Sequence, residues 1–205
     1  MRRMTGNLTV TAISPDGLPF RLTICGIPEL DEHRTAGVTH VLSLLDPDYD
    51  DPSAFTAFAP HQRVALRFHD VIEPKPDRIP PSLRDVERLL AFGRELINAP
   101  HSHLLIHCHA GVSRSTAAAA LILAQAEPDR PARAVFDLVS SIRPRAWPNL
   151  RILELGDAQL GRDGEIVAAV AAVYRRVLER DPPFLEALID AGRVREVITA
   201  LASGA

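Results

Sequence analysis

Cysteine and lysine are scarce in this 205-residue chain, and long apolar runs are missing. Cys25 and Cys108 are the only cysteines, so a disulfide framework cannot be the basis of stability. Lys75 is the only lysine; positive charge carried by arginine, with abundant alanine and proline, is typical of a high-GC bacterial genome. No apolar run approaches a membrane span, and no signal-peptide segment follows Arg2 and Arg3. We therefore expect a cytoplasmic protein without a membrane partner.

The composition is that of an ordinary globular protein. Hydrophobic residues make up 46% and charged residues 24% of the chain, and the net charge is −3. Such a balance gives no reason to expect a nucleic-acid partner. The length is sufficient for one domain with a full core and an appendage. We divide the chain into a domain at 1–160 and a C-terminal helical extension at 161–205, packed on the same domain.

One stretch, His-Cys-His-Ala-Gly-Val-Ser-Arg-Ser-Thr at 107–116, organises the rest of the chain. The apolar run 104–106 leads into it, and the small-residue run 117–124 follows it. This pattern predicts a buried strand, a tight loop and a closely packed helix. The nucleophilic thiol of Cys108 would then lie at the start of a loop that enters a helix N-terminus.

The chemistry of this loop indicates a phosphate site. A loop that enters a helix N-terminus turns backbone N–H groups towards an anion, and the helix dipole adds positive charge. Gly111 permits a positive φ or a close backbone approach, and Arg114 can hold two phosphate oxygens. The same field stabilises the thiolate of Cys108, and the Ser115 hydroxyl can donate to it. The expected phosphate-binding residues are His109, Ala110, Gly111, Val112, Ser113 and Arg114.

The signature Cys108-x-x-Gly111-x-x-Arg114-Ser115, preceded by His107, resembles the cysteine-based protein tyrosine and dual-specificity phosphatase superfamily. The order of elements from about 37 to 149 is also similar, and the run 143–149 resembles a bacterial branch of predicted tyrosine phosphatases. The resemblance implies an α/β fold with a central, mostly parallel sheet of four to five strands flanked by helices. It also implies catalysis without a metal or another cofactor.

Three other interpretations of the loop compete with this one. Cys108 could be a buried structural thiol, although its polar neighbours make a poor core. A metal site could use His101, His103, His107, Cys108 and His109, but their spacing fits no zinc pattern. A sulfur transferase also cradles an anion in a cysteine loop, whereas the positions of Gly111 and Arg114 favour phosphate chemistry.

Asp70 is the leading candidate for the general acid. It follows an apolar strand at 63–68, and ligands of open parallel sheets bind beyond the carboxyl ends of the strands. The phosphatase superfamily places its acid in a loop after the equivalent strand, and Asp70 matches that place. Asp77 is the rival and Glu73 a more distant one. The structural alternative is that Asp70 only caps or bends its loop.

The remaining strands and helices are predicted from the periodicity of apolar residues and from residues that begin or end helices. Strands are predicted at 8–13, 20–24, 38–44, 63–68 and 103–107. Helices are predicted at 29–35, after Ser82 to 99, and at 112–126, 131–142, 149–159 and 163–179, with one amphipathic segment at 184–201. The run 46–60 reads as a loop or broken helix whose acids, Asp46, Asp48, Asp50 and Asp51, are solvated.

Several residues have secondary roles in this interpretation. Related enzymes have polar residues at the positions of Arg143 and Asn149, close to the phosphate or the hydrolytic water. Arg143 and Asn149 are therefore secondary candidates for the site. Trp147 either lines the pocket or packs, with packing favoured. The C-terminal helices either cover the domain or form a dimerisation surface. A disulfide between Cys25 and Cys108 that protects the nucleophile is a further hypothesis.

The sequence thus predicts a hydrolase of phosphate monoesters that acts through a cysteinyl-phosphate intermediate. The expected substrate is phosphotyrosine on a protein, with dual specificity or a small phosphate monoester as variants. Phosphoinositides and inositol phosphates are the alternative, although the loop has no lysine and His109 adds charge only at mildly acidic pH. A module that binds phosphate without chemistry is the rival class; it would lack an acid or a nucleophile.

Overall fold

Four parallel strands form the central sheet in the computed structural model, which describes residues 18–99 and 101–202. They are β1 (Arg21–Gly26), β2 (His40–Leu45), β3 (Gln62–Arg67) and β4 (His103–Cys108), in the spatial order β1-β4-β2-β3. All six residues of β4 are buried, because this strand has a neighbour on each side and is covered on both faces. The predicted sheet is confirmed, while the strand expected at 8–13 lies outside the described residues.

Helices make up most of the remaining chain. Two short 3-10 helices span Ile27–His33 and Ser53–Ala57. The α-helices of the described residues are α1 (Leu83–Ile97), α2 (Arg114–Ala126), α3 (Ala132–Ile142), α4 (Leu150–Leu160), α5 (Glu165–Arg180), α6 (Phe184–Asp190) and α7 (Val194–Ala202). Every helix predicted up to residue 179 is present within a few residues of its expected bounds, the first of them as a 3-10 helix.

The two faces of the sheet are covered differently. Leu104, Ile106 and Cys108 of β4 belong to the large apolar cluster that contains the α-helices. Leu105 alternates to the other face and joins a smaller cluster with residues of the 3-10 helices. Alternation along a strand produces this division. The Ala-rich α2, buried along most of its length, can approach the sheet closely, which holds the preceding loop against a rigid support.

Local capping explains several helix bounds. Ser82 begins α1 with a capping box, in which its side chain accepts from the Asp85 amide and Asp85 accepts from the Ser82 amide. The Asn149 side chain accepts from the Ile152 amide at 3.1 Å and caps α4. Gly161, with φ of 63°, ends α4 in the left-handed conformation.

The C-terminal segment differs from its prediction. The single amphipathic segment expected at 184–201 is two helices, α6 and α7, separated by a turn at 191–193. Gly192 adopts φ of 73° there, which interrupts the helix. Residues of α5, α6 and α7, among them Tyr174, Leu188 and Val197, share the large apolar cluster with the sheet. The turn therefore allows α6 and α7 to pack separately against the large apolar cluster.

Candidate active site

The loop between β4 and α2 has its carbonyl oxygens turned away from its concave side. Five consecutive carbonyls, from His109 to Ser113, accept hydrogen bonds from the body of the protein. Their donors are the Ile27 amide at 3.0 Å, Arg143 Nη2 at 3.2 Å, Arg143 Nε at 3.1 Å, the Trp147 amide at 2.9 Å and the Asn149 amide at 3.3 Å, in chain order. Thr116 Oγ1 donates additionally to the carbonyls of Val112 and Ser113.

The amide groups must then point the opposite way. In a trans peptide the C=O of one residue and the N–H of the next are antiparallel, and no cis peptide occurs in the described chain. Within that same part of the chain, the amides of 110–114, which are opposed to these carbonyls, have no hydrogen-bond partner. A ring of free N–H groups at a helix N-terminus is an anion-binding site.

Gly111 is required by the tight packing behind this loop. It has φ of 69°, and a Cβ there would lie 2.4 Å from the carbonyl carbon of Cys25 on β1. No L side chain fits this position without a backbone shift. The backbone of β1 therefore determines how closely the loop approaches the sheet.

Arg143 lies behind the loop. Besides its two bonds to loop carbonyls, its Nη1 donates to Glu29 Oε1 at 2.8 Å. Glu29 in turn accepts from the Gly26 amide at 2.5 Å. These contacts connect the loop to the end of β1, so the secondary candidate Arg143 is placed to hold the loop carbonyls rather than to contact a ligand.

The thiol and hydroxyl of the signature are adjacent. Cys108 Sγ lies 3.3 Å from Ser115 Oγ, and Cys108 is a free cysteine that lines the pocket above the loop. His107, the residue before it, points to the other face, where its Nε2 lies 2.7 Å from Ser43 Oγ. Burial lowers the pKa of His107 to about 4, so it is neutral near pH 7.

The guanidinium of Arg114 is fixed at one end and free at the other. Its Nη1 donates to Asp46 Oδ1 and to the Phe68 carbonyl, both at 2.7 Å. Its Nε is buried without a hydrogen-bond partner. A buried, unpartnered donor is costly unless a ligand satisfies it, which is consistent with an anion at this position.

Asp46 corrects the expectation that the acids of 46–60 are only solvated. It orients Arg114, whereas Asp51 forms ion pairs with Arg63 and Arg67. His109 also contacts Asp46, since its Nε2 accepts from the Asp46 amide at 3.4 Å. Burial and the charge of Arg114 lower the pKa of His109, so this residue contributes less positive charge at mildly acidic pH than an ordinary histidine.

Asp70 lies at the carboxyl end of β3 and lines the same pocket as Cys108 and Arg114. Its Oδ1 accepts from Ser113 Oγ and from Asn149 Nδ2, both at 2.8 Å. Asn149 is fully buried, so the secondary candidate Asn149 connects Asp70 to the start of α4. The structure therefore brings Asp70, Ser113 and Asn149 together.

The two rival acids lie elsewhere. Asp77 is exposed at a turn with φ of 57°, and Glu73 forms an ion pair with Arg195. Neither lines the pocket that contains Cys108, whereas Asp70 does. Position thus favours Asp70 among the three carboxyl groups proposed from the sequence.

The C-terminal helices form the other wall of the pocket, whose volume is about 660 Å³. Val177, Phe184 and Leu188 provide apolar surface opposite the loop, and the exposed Arg145 and Arg180 add positive charge. Trp147 combines both roles considered for it. It is buried, it contacts Tyr174 and Phe184, and it also lines the pocket.

Sequence reasoning missed two further residues, Arg193 and Glu196. Arg193 lines the pocket and Glu196 is a fully buried carboxylate that accepts from Trp147 Nε1 at 2.5 Å. A charged residue on the apolar face of an amphipathic segment is the signal that could have found Glu196. Nothing local marks Arg193, which follows an ordinary Ala-Gly pair.

Metal-ligand clusters and membrane-spanning helices are two features that the described residues do not contain. No cluster of three or more potential ligands occurs among them, and no helix at 18–99 or 101–202 is long and apolar enough to span a bilayer. Cys25 and Cys108 are both free thiols. Burial, with a smaller contribution from Glu29, raises the pKa of Cys25 to about 12. The disulfide between them stays a hypothesis.

Comparison with known proteins adds the fold. No protein-family model matches the sequence, and no curated protein matches it at a significant level. Human DUSP28 is 18% identical over 69% of this chain and 94% of its own, with a TM-score of 0.52. The PTP-2 phosphatase of Cydia pomonella is 22% identical over 72% of this chain and 88% of its own, with a TM-score of 0.54. The chain has the fold of these phosphatases.

This phosphatase fold agrees with the resemblance inferred from the signature loop. The two structures compared above are a dual-specificity phosphatase and a phosphatase named PTP-2. Similarity to a bacterial branch stays a prediction. A shared fold does not determine the chemistry, which depends on the residues of the site itself.

Proposed function

We propose that this protein hydrolyses phosphate monoesters through a cysteinyl-phosphate intermediate, with phosphotyrosine as the preferred substrate. The observation that carries the proposal is the arrangement around Cys108. Five loop carbonyls are bonded to the body of the protein, so the opposed amides and the free Nε of Arg114 are left to bind a phosphoryl group beside Cys108. Such donors stabilise the charge of a phosphoryl group in transfer without a metal ion.

The reaction uses Cys108 as the nucleophile. Its thiolate attacks phosphorus, and the bond between phosphorus and the ester oxygen breaks as the sulfur–phosphorus bond forms. Asp70 transfers a proton to the departing oxygen, and Ser115 is positioned to stabilise the sulfur. In the second step the Asp70 carboxylate takes a proton from water, the water oxygen attacks phosphorus, and inorganic phosphate and the thiolate are released.

The apolar wall supports an aromatic substrate. Val177, Phe184 and Leu188 would contact the ring of a tyrosyl ester while its phosphate reaches the loop. The presence of both a nucleophile and a candidate acid supports an enzyme over a phosphate-binding module. An inositol phosphate is the second candidate, favoured by the exposed Arg145 and Arg180 on the same wall.

Assays of purified wild-type protein on an aryl phosphate, a phosphotyrosine peptide, a phosphothreonine peptide and an inositol phosphate test this function. We expect Cys108→Ser to abolish turnover while it still binds inorganic phosphate. Asp70→Asn should lower kcat by about 10²–10⁴-fold, and the matched variant Asp77→Asn should stay within about twofold of wild type. Full activity of Cys108→Ser, or an equal loss in Asp77→Asn and Asp70→Asn, would contradict the assignments.

A further inference from the structure

The turn between α6 and α7 places one arginine next to the candidate acid. Arg193 is 8% exposed, and its Nη1 lies 3.3 Å from Asp70 Oδ1. Its Nη2 donates to Ser113 Oγ at 2.9 Å, and Ser113 Oγ itself donates to Asp70. Arg193 thus contacts the carboxyl group both directly and through a loop hydroxyl.

Glu196 holds this guanidinium in place. Arg193 Nε donates to Glu196 Oε2 at 2.6 Å, and Nη2 donates to Oε1 at 2.7 Å. Glu196 also accepts from Trp147 Nε1 at 2.5 Å and from the Leu150 amide at 3.0 Å. A bidentate pair with both partners anchored fixes orientation as well as position, so Arg193 cannot turn freely towards solvent.

The hydrogen bonds of the Asp70 carboxyl group within the described residues converge on one oxygen. Ser113, Asn149 and Arg193 reach Oδ1, and within the described chain no hydrogen bond reaches Oδ2. When the group is protonated, Oδ2 is therefore the oxygen free to carry the proton. An acid with one oxygen held and the other free has a defined direction for proton transfer.

We infer that Arg193 is a positioning residue for Asp70, holding the carboxyl group over the phosphate loop and setting the pH range in which it acts as the acid. This inference rests on the proposed function. It gives the C-terminal helices a role in the reaction that the signature loop does not indicate.

The electrostatics agree with this geometry. Burial of Asp70 disfavours its charged form, but the charges of Arg193 and Arg114 and the hydrogen bonds from Asn149 and Ser113 outweigh it. They hold the pKa of Asp70 below its ordinary value. Among the described residues, His109 of the loop and Tyr174 of α5 also interact with Asp70. Because the acid must be protonated, removal of Arg193 should move the loss of kcat/KM to higher pH.

The test compares pH profiles of kcat/KM for an aryl phosphate in the whole 205-residue chain. The main variant is Arg193→Gln combined with Glu196→Gln, which removes both buried charges and leaves neither unpaired. We expect its basic limb to lie about one pH unit or more above that of wild type, with a plateau about tenfold lower. In an Asp70→Asn background the same pair of substitutions should lower kcat/KM by clearly less than about tenfold, because the residue through which Arg193 acts is absent.

Two further variants sharpen the result. Arg193→Lys keeps the charge but not the planar fork, so it should retain the wild-type basic limb and lose part of the plateau; it decides the question if the double variant does not fold. Arg195→Gln is the matched control. Arg195 pairs with Glu73 and Glu154 on the neighbouring side of α7 and does not line the pocket, so its profile should coincide with wild type.

The outcomes separate this inference from the proposed function. If wild type hydrolyses no phosphate monoester, or Cys108→Ser remains active, both fail together. If wild type is active and Asp70→Asn impaired, the inference alone is overturned by a double-variant profile that superimposes on wild type. It is also overturned if the double variant lowers activity equally with and without Asp70, or if Arg193→Lys shifts the basic limb by a full pH unit.

Discussion

At the scale of single residues, the site depends on a few groups that are held in place by close packing. Gly111 is one of them, because the backbone of Cys25 occupies the place where a Cβ would lie. The free Nε of Arg114 is another, since its guanidinium is already held by Asp46 and the Phe68 carbonyl. The loop is therefore built before any anion enters it, and binding requires little rearrangement.

Gly111→Ala should separate this close packing from the ordinary cost of a positive φ. Gly161 is the matched control, because it has nearly the same φ but no atom within 4 Å of the place that a Cβ would occupy. Gly161→Ala should cost about 1–2 kcal/mol of unfolding free energy. Gly111→Ala should cost about 3 kcal/mol or more and lower kcat/KM by about a hundredfold, measured by urea denaturation and phosphatase assay. Equal losses in the two variants would show that the contact with Cys25 is unimportant.

Residue types in the signature loop were readable from the sequence, but several of their partners were not. The order Cys108, Gly111, Arg114 and Ser115 is local, and local order is what a sequence shows. Asp46 and Arg114 are 68 positions apart, and Arg193 lies 123 positions after Asp70 (193 − 70). The chain has many charged residues, and the packing of distant elements determines which of them reach the site. Sequence periodicity does not show this packing.

At the scale of elements, helix termini serve both stability and the site. The start of α4 is the clearest case, since Asn149 caps the helix with its Oδ1 and holds Asp70 with its Nδ2. The helix predicted at 149–159 is present, and Asn149 is its cap. Its contact with Asp70 needed the structure, because the sequence cannot show that the start of α4 meets the carboxyl end of β3.

Asn149→Ser should separate these two roles. A serine retains an oxygen for the Ile152 amide but has no amide group to donate to Asp70. We expect kcat/KM to fall about tenfold while the unfolding free energy changes by less than about 1 kcal/mol. Ser82→Ala provides the opposite case, because it removes the cap of α1, which is away from the site. We expect it to lower the unfolding free energy by about 1 kcal/mol and to leave kcat/KM unchanged. A stability loss without an activity loss in Asn149→Ser would contradict the role at Asp70.

The division of the last segment into α6 and α7 could not be predicted from the periodicity of apolar residues. The apolar stripe at 184–201 continues through α6 and α7, so one helix was the natural prediction. Gly192 interrupts it, although a glycine inside a helical pattern is often tolerated. The positive φ at Gly192 turns the chain, and Arg193 directly after it enters the pocket.

At the scale of the whole molecule, the C-terminal helices share one apolar core with the sheet. We propose that they form part of the same cooperative unit and do not unfold separately. Leu188 of α6 is 2% exposed and lies in this core, whereas the adjacent Ile189 is 50% exposed. The pair offers a matched test of how far the core extends.

Leu188→Ala should lower the unfolding free energy by about 2–5 kcal/mol in a single transition and raise KM for an aryl phosphate, since Leu188 lines the pocket. Ile189→Ala should change stability by less than about 1 kcal/mol and leave KM unchanged. Urea denaturation followed by fluorescence of Trp147, the only tryptophan, measures the first quantity. Two separated transitions in wild type would show that α6 and α7 are an independent unit.

Arg193 follows the other residues of the site in the order of translation. Cys108, Asp70 and Arg114 leave the ribosome well before the turn that carries Arg193. A chain shortened by proteolysis or a premature stop after α5 would contain the nucleophile and the acid but not the guanidinium beside Asp70. Because Leu188 of α6 and Val197 of α7 lie in the same apolar core as the sheet, such a fragment would also lose part of that core, and we expect it to be less stable than the 205-residue chain.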